Sequence, residues 1–313
     1  EPIFISAEHG NGIDDLLDSI KKLTNIDNQS LLERKYFSEP PNAIDGYLKL
    51  TVVGRPNTGK STLFNYLAGS QRVITSSMPG MTRDSIQTRV SFNDKVFNLI
   101  DTAGLRRKSK VVDVVEKLSA MDTIKAIKIS DIVILLIDAT QLIDKQDLTI
   151  ASSVISEGKV LVIGLNKWDL VNNQESVFKI IKERLEESLS QVKGLEIVTL
   201  SSKTGLRVPN LVERSFKLYH LWEKRLETSK LNRWLENTTR LNPPPLSSRK
   251  KTVKLRYITQ VKSKPPSFII FTTSSNDVSE SYKRFLKNDL TKQFNLHGVP
   301  IKLNIRKQKN PYG

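Results

Sequence analysis

The chain has 313 residues, 38% of them hydrophobic and 26% charged, so it holds enough apolar material for two folded domains. It has no cysteine, which excludes disulfides and thiolate metal sites and is typical of a reducing compartment. The longest apolar run, Ile132 to Ile137, is too short to cross a bilayer, and no signal-like segment is visible at the start. We therefore predict a cytoplasmic protein that makes no membrane contact, and we also expect it to be a monomer.

The net charge of +16 is unevenly distributed along the chain. Residues 229–313 contain 18 Lys and Arg against 4 Asp and Glu, whereas residues 1–228 contain 31 against 29. A near-neutral body is thus followed by a strongly basic region. This distribution favours an anionic polymer as partner, with nucleic acid ahead of an acidic membrane.

The first residues have a layout that recurs later in the chain. Phe4 to Ile20 has the pattern of a short strand, a Gly-rich turn and an amphipathic helix, and Leu200 to Val212 repeats it with an offset of 195 residues. We predict that residues 1–24 end an earlier copy of the same domain. The alternative is chance similarity between two common strand–turn–helix patterns. Residues 25–46, with Pro40-Pro41 and weak periodicity, are predicted to be a linker.

A strand, a Gly-rich loop and a helix then follow in the order typical of a phosphate-binding site. Leu48 to Val53 has the pattern of a strand, residues 54–61 match G-x-x-x-x-G-K-[ST], and a helix is predicted from Lys60. Loop amides and the helix N-terminus together favour an anion there. The alternative is a Gly-rich turn with an exposed lysine. The predicted nucleotide-binding residues are Gly54, Arg55, Pro56, Asn57, Thr58, Gly59, Lys60, Ser61 and Thr62.

Strands and helices continue to alternate up to residue 228. Ile86 to Phe92 and Val96 to Asp101 are predicted to form a hairpin, and Asp131 to Asp138 and Val160 to Asn166 to be strands buried on both faces. The pattern indicates an α/β fold with a doubly wound sheet, whose functional loops lie at the carboxyl ends of the strands. Helices are predicted near residues 114–128, 145–157, 175–189 and 208–226.

Within this pattern, a D-x-x-G motif ends one strand at Asp101, Thr102, Ala103 and Gly104. In a phosphate site, Asp101 is expected to hold Mg²⁺ through a water, and the Gly104 N–H to meet the γ-phosphate. Thr82 lies in the preceding polar loop, where its hydroxyl or carbonyl is expected to bind the metal in the triphosphate state. Lys60 is expected to reach the β- and γ-phosphates, and the Ser61 hydroxyl to bind Mg²⁺.

The motif N-K-x-D, at Asn166, Lys167 and Asp169, distinguishes between purines. Guanine presents two donors, N1–H and the 2-amino group, to a single carboxylate, and adenine lacks that pair. We therefore predict that Asp169 selects guanine, that Asn166 ties this loop to the P-loop, and that the Lys167 stem covers one face of the base. The alternative is a helix-capping Asp beside a solvated Lys. A backbone N–H among Ser201, Ser202 and Lys203 is expected to donate to the guanine 6-oxo group.

The basic region is predicted to be a small α+β unit. Its hydrophobic pattern indicates the order helix, strand, strand, helix, strand. The predicted elements are Leu231 to Leu241, Thr252 to Val261, Phe268 to Thr273, Ser281 to Phe294 and Ile301 to Arg306.

These motifs, the Gly-x-Pro-Asn form of the P-loop, the segment from Asp101 to Lys108 and the closing segment from Lys307 to Tyr312 resemble the bacterial EngA (Der) GTPases over essentially the whole chain. The resemblance implies binding of GTP and GDP, GTP hydrolysis, and maturation of the large ribosomal subunit with its rRNA as partner. It also implies four regions. They are the end of a first GTPase domain acting in cis (1–24), a linker (25–46), a second GTPase domain of the TRAFAC-type P-loop NTPase fold (47–228) and a KH-like domain (229–313).

The resemblance further implies a K⁺ site. Leu105 stands where Ras-like GTPases have a water-orienting glutamine, and leucine cannot orient water by hydrogen bonding. Relatives compensate with K⁺ held partly by the P-loop asparagine, here Asn57, which places Asn57 with Lys60, Thr82 and Gly104 among the predicted catalytic residues. The alternative for Asn57 is a hydrogen bond that stabilises the loop. The chain departs from the family pattern at Thr58, where a small apolar residue is common, and this bears on the ion site.

The KH-like region lacks the loop by which ordinary KH domains clamp RNA. No glycine occurs between Gly205 and Gly298, so a GXXG sequence is absent. RNA contact is therefore assigned to Lys and Arg side chains, with a merely solvated face or a docking surface for the first GTPase domain as alternatives. These side chains are Arg249, Lys250, Lys251, Lys254, Arg256, Lys262, Lys264, Arg306, Lys307 and Lys309.

Two other classes of function stay open at this point. An RNA-binding module that binds no nucleotide would use the basic region alone. An ATP-using metabolic kinase shares the P-loop, but it would need an acceptor site and has no use for N-K-x-D.

Overall fold

Six strands form one sheet in the order β2-β3-β1-β4-β5-β6 in a computed structural model, which describes residues 47–69, 87–100, 115–245, 253–272 and 278–307. The neighbours β3, β1, β4, β5 and β6 pair in parallel, and β2 is antiparallel to β3. The strands are β1 (Leu48–Val53), β2 (Gln87–Phe92), β3 (Lys95–Ile100), β4 (Ile132–Asp138), β5 (Val160–Asn166) and β6 (Glu196–Thr199).

Helices cover both faces of this sheet, because its central strands are apolar on both sides. All seven residues of β4 are buried. Ile134 lies in one apolar cluster with Leu63 and Leu211, whereas the adjacent Leu135 lies in a second cluster with Val154. The predicted doubly wound α/β sheet is therefore confirmed. The helices are α1 (Lys60–Gly69), α2 (Val115–Ile129), α3 (Lys145–Ser156), α4 (Gln174–Ser188) and α5 (Val208–Glu223).

A second sheet follows, in the order β7-β8-β9, with β7 antiparallel to β8 and β8 parallel to β9. Two helices pack on one of its faces, where Leu231 and Leu286 meet Ile258, Phe268 and Ile270. The elements are α6 (Thr228–Leu241), β7 (Leu255–Lys262), β8 (Ser267–Thr272), α7 (Glu280–Gln293) and β9 (Lys302–Lys307). The predicted order of the α+β unit is confirmed.

The two sheets are joined by specific hydrogen bonds at the end of α5. The Gln260 side chain of β7 accepts from the Leu226 N–H at 2.7 Å and donates to the Lys224 carbonyl at 3.0 Å. The Gly298 N–H donates to the Lys193 carbonyl at 2.8 Å. Buried polar groups of both parts are thus satisfied by each other.

Three element boundaries differ from the sequence prediction for physical reasons. Helix α5 ends at Glu223, because Lys224 and Leu226 turn their backbone groups to Gln260. Helix α6 begins at Thr228 and not at Leu231 as predicted, because its first turn is polar and the hydrophobic pattern does not detect it. Strand β7 begins at Leu255, because the backbone carbonyl of Lys254 accepts from the Thr272 hydroxyl instead of continuing the ladder.

No helix in the described ranges is long and apolar enough to cross a membrane. The predictions for residues 1–46, Thr82, Asp101–Gly104 and Leu105 lie outside the described residues.

Candidate nucleotide-binding site

The carboxyl ends of β1, β4, β5 and β6 lie along one edge of the first sheet, because these strands are parallel neighbours. The P-loop follows β1, the N-K-x-D segment begins at the last residue of β5, and the Ser201–Lys203 segment follows β6. Motifs separated by more than a hundred residues therefore meet at this edge, which is where open α/β sheets bind their ligands.

Glycine is required at two positions of the P-loop. Gly54 has a φ of +146° and Gly59 a φ of +96°. A Cβ at Gly54 would lie 2.3 Å from the Leu136 carbonyl oxygen, and one at Gly59 would lie 2.2 Å from the Asn166 amide nitrogen. Any side chain would thus push the loop away from its neighbours as well as strain its backbone. Asn57 also adopts a positive φ, of +63°, which asparagine tolerates better than most residues.

Lys60, the first residue of α1, folds back over the loop. Its ammonium Nζ donates to the Arg55 carbonyl oxygen at 2.5 Å, and the Thr58 hydroxyl donates to the same oxygen at 2.9 Å. Lys60 is half-buried and Thr58 is buried. The ammonium therefore lies inside the concave loop, which contradicts the alternative of a turn with an exposed lysine.

The Asn166 side chain connects three loops. Its amide Nδ2 donates to the Thr58 carbonyl at 2.8 Å, and its Oδ1 accepts from the Ser202 N–H at 2.8 Å and from the Ser202 hydroxyl at 2.9 Å. A side-chain amide offers a donor and an acceptor on adjacent atoms, and Asn166 uses both. The tie to the P-loop expected from the sequence is therefore a direct hydrogen bond between buried groups.

Lys167 is held by an acidic residue that the sequence analysis did not select. Its Nζ contacts the Asp138 Oδ2 at 2.5 Å, and its backbone has a φ of +60°. Burial acts to raise the pKa of Asp138, but hydrogen bonds from Lys167 and Thr140 outweigh burial and hold this pKa below its usual value. Asp138 thus stays charged at neutral pH and fixes the Lys167 stem along the edge of the sheet.

The carboxylate of Asp169 is exposed and lies in a short 3-10 helix, Trp168–Leu170. Among the residues that the structure describes, it accepts no hydrogen bond and forms no ion pair, and the start of the 3-10 helix has no side-chain cap. The neighbouring Trp168 is buried and anchors the turn. Asp169 is therefore not a capping residue, and its exposed carboxylate stays at the carboxyl end of β5.

The three backbone N–H groups after β6 are not equivalent. The Ser201 N–H donates to the Leu206 carbonyl, and the Ser202 N–H donates to Asn166. Within the described residues, the Lys203 N–H has no such partner. Of the three candidate donors for the guanine 6-oxo group, the Lys203 N–H is therefore the one that remains.

Arg55 supports the P-loop from the side. Its guanidinium Nε donates to Asp147 at 3.1 Å, and its Nη1 lies 3.5 Å from Asp144. Asp147 is fully buried in the first turn of α3, and burial raises its pKa even though Arg55 acts in the opposite direction. The sequence analysis named Arg55 only as a member of the motif, and the carboxylates of Asp144 and Asp147 were not selected.

Metal ligands are sparse in the described ranges, which hold no group of three or more His, Cys, Asp or Glu able to bind an ion. Ser61 is exposed in the first turn of α1, and Asn57 is exposed and makes no hydrogen bond to a described residue. Mg²⁺ commonly uses one or two protein ligands together with substrate phosphates, and the Ser61 hydroxyl is an oxygen of the kind this ion binds. The alternative of a loop-stabilising bond for Asn57 is not found among the described residues.

Comparison with known proteins gives the family. The model of the KH-domain-like region of EngA bacterial GTPase enzymes matches residues 225–306, and the model described as 50S ribosome-binding GTPase matches residues 49–167. GTPase Der of Nitrobacter hamburgensis is 40% identical over 320 residues, covering 100% of this chain and 68% of that protein. GTPase Der of Azorhizobium caulinodans is 42% identical over 311 residues, covering 99% of this chain and 68% of that protein.

The chain belongs to the GTPase Der family. It is therefore a GTP-binding switch protein and a GTPase, as the resemblance of its motifs predicted. Membership of the GTPase Der family decides against the two alternatives left open by the sequence, the RNA-binding module without nucleotide and the ATP-using kinase. It also confirms the predicted P-loop GTPase domain followed by a KH-like domain.

Replacement of Gly59 tests how closely the P-loop must approach the Asn166 side chain. Gly59→Ala places a Cβ against the Asn166 amide, so we expect affinity for a fluorescent GTP analogue to fall by at least about tenfold. Gly69→Ala is the matched control, because a Cβ there meets nothing within 4 Å. Equal affinities of the two variants in a nucleotide titration would contradict the close approach of the loops.

Proposed function

We propose that this chain is a GTP-hydrolysing switch that acts in maturation of the large ribosomal subunit. The bridge made by Asn166 carries the proposal. It fixes a phosphate-binding loop and a base-binding loop against each other and leaves the Asp169 carboxylate exposed beside them. A purine nucleoside triphosphate has its base and phosphates separated in this way.

Recognition of guanine is assigned to three groups around the base. The Asp169 carboxylate accepts from N1–H and from the 2-amino group, and the Lys203 N–H donates to the 6-oxo group. The Lys167 stem, fixed by Asp138, covers one face of the ring. Asn166 contributes through its neighbours, because its own polar atoms are already used by Thr58 and Ser202.

Binding of the phosphates is assigned to the P-loop and the start of α1. The Lys60 ammonium exchanges the Arg55 carbonyl for the β- and γ-phosphate oxygens, and the backbone N–H groups at the N-terminus of α1 add hydrogen bonds to these oxygens. Ser61, with Thr82 and Asp101, would hold Mg²⁺, which neutralises charge on the phosphates when bound. The Gly104 N–H binds the γ-phosphate and orders its loop in the GTP state.

Asn57 is assigned to K⁺. Its exposed side chain has an oxygen that no described residue uses, which suits a ligand for a monovalent cation. When bound, K⁺ supplies positive charge between the β- and γ-phosphates, as an arginine finger does in other GTPases. The Thr58 hydroxyl is turned to the Arg55 carbonyl, so it does not compete with Asn57 for the ion.

The remaining assignments concern regions and partners. We divide the chain into the end of a first GTPase domain (1–24), a linker (25–46), the second GTPase domain (47–228) and the KH-like domain (229–313). The basic charge of the last region supports rRNA as partner, as does the description of the matching GTPase family as ribosome-binding. Hydrolysis of GTP releases the loops around Thr82 and Gly104 and so changes how the domains pack.

The role of Asp169 in selecting guanine is tested by exchanging a hydrogen-bond donor and acceptor between the protein and the base. Xanthine replaces the 2-amino donor of guanine with an oxygen, so Asp169→Asn should lower GTP affinity by at least about 100-fold and create affinity for XTP. Glu175→Gln makes the same chemical change at a nearby exposed site and should alter neither affinity. GTP binding that survives in Asp169→Asn would overturn the assignment.

The ion site is tested by hydrolysis rates at equal ionic strength in KCl and NaCl. We expect faster hydrolysis in KCl, and we expect Asn57→Ala to lose this difference while it still binds GTP. Asn93→Ala is the control, because Asn93 is also an exposed asparagine with positive φ, in the β2–β3 hairpin. Equal wild-type rates in the two salts would remove the role of Asn57.

The ribosomal role is tested by co-sedimentation with purified large subunits. We expect the chain to pellet with them in a non-hydrolysable GTP analogue and much less in GDP. For Asp169→Asn, an XTP analogue should restore sedimentation that the GTP analogue no longer supports. Sedimentation that does not depend on the nucleotide would show that the bound base does not control the interaction.

A further inference from the structure

The second sheet carries a row of two aromatic rings and a guanidinium on the face away from its helices. Ile258 and Ile270 pack against α6 and α7, so the side chains of Tyr257 and Phe271, one residue away on each strand, point to the opposite face. Tyr257 is paired with Phe271, and Phe271 is paired with Arg306 on β9. The order across the sheet is therefore tyrosine, phenylalanine, arginine.

The two rings stack on each other and leave one ring face at the edge of the sheet. Their centroids are 4.5 Å apart, and the ring planes differ by 18°. β7 is an edge strand, so no further strand of the sheet lies beyond Tyr257, whose exposed fraction is 38%. Phe271 is half-buried between its neighbours, and Arg306 is exposed. The outer ring face of Tyr257 is therefore exposed, while its inner face is stacked on Phe271.

The charge of the two halves of this unit differs sharply. Residues 253–272 and 302–307, which contain all three strands, hold seven Lys and Arg and no Asp or Glu. The acidic residues of the unit that the structure describes are on the helices, namely Glu236, Glu280 and Asp289. Burial raises the pKa of Tyr257, so the phenol stays neutral at physiological pH and does not repel phosphate.

We propose that the row of Tyr257, Phe271 and Arg306 is a stacking platform for an unpaired base of single-stranded RNA. The base stacks on the outer face of Tyr257, and Arg306 and the neighbouring lysines contact the phosphates on either side. The platform rests on the proposed contact with rRNA and specifies where and how that contact is made. It also replaces the glycine loop that ordinary KH domains use, which this region lacks.

Charge complementarity favours RNA over a protein partner on this face. An apolar protein surface would gain from the rings, but it would lie against strands that carry basic residues and no acidic residue. A nucleic acid satisfies both features, because its bases stack and its backbone is anionic. Duplex RNA satisfies only the charge, since its bases are already stacked.

The platform is tested by anisotropy titration of the full chain with a labelled 12-nucleotide single-stranded RNA of mixed sequence. Tyr257→Leu keeps an apolar side chain of similar size but removes the π face, and we expect affinity to fall by about 5- to 100-fold. Tyr257→Phe should bind as tightly as the wild type. Arg306→Gln should reduce the slope of log affinity against log salt by about 1.

Tyr47→Leu is the matched control, because Tyr47 is a tyrosine of similar exposure outside the second sheet. We expect it to leave RNA affinity unchanged, and we expect all variants to hydrolyse GTP like the wild type. If Tyr257→Leu binds RNA as the wild type does, or if duplex RNA shows the same loss, the platform is overturned and the wider rRNA contact stands. If the wild type binds no single-stranded RNA, the platform is overturned, and the wider rRNA contact is overturned as well if the chain binds neither duplex RNA nor purified large subunits.

Discussion

The site depends on the buried carboxamide of Asn166. Its Nδ2 donates to the Thr58 carbonyl, and its Oδ1 accepts from the N–H and the hydroxyl of Ser202. The loops after β1, β5 and β6 therefore cannot move independently. Each of these partners is buried and would be left unsatisfied without it, at a cost of about 1–3 kcal/mol for each group. Gly59 is part of the same constraint, because only a residue without a Cβ lets the amide approach.

A second feature is the position of α3 between the two halves of the molecule. Its first turn holds the P-loop through the contact of Asp147 with Arg55. Just beyond its end, the Gly158 carbonyl accepts from Trp222, and Gly158 packs against Pro265 of the second sheet. A short segment of the chain, α3 and the residues up to Gly158, therefore contacts both the phosphate-binding loop and the junction with the KH-like region.

In the KH-like region, the helical layer and the strands differ in charge. One face of its sheet is covered by α6 and α7, and the Trp234 and Thr238 side chains hold Asp289 within that helical layer. The strands keep only basic charges, and their other face carries the aromatic row. The acidic residues that the structure describes in this unit therefore lie on the helices and not on the strands.

The sequence by itself determined the class of fold, because continuous apolar runs such as Ile132 to Ile137 require a sheet covered on both faces, and the N-K-x-D motif indicated guanine. Only the tertiary structure decided which groups fix that motif. Asp138 and Lys167 meet because the last residues of β4 and β5 are in register, and the sequence gives no sign of that pairing. The same holds for Tyr257 and Arg306, whose alignment across three strands depends on register and on a bulge next to Tyr257. Local pattern specifies an element, whereas contacts between elements depend on how distant segments pack.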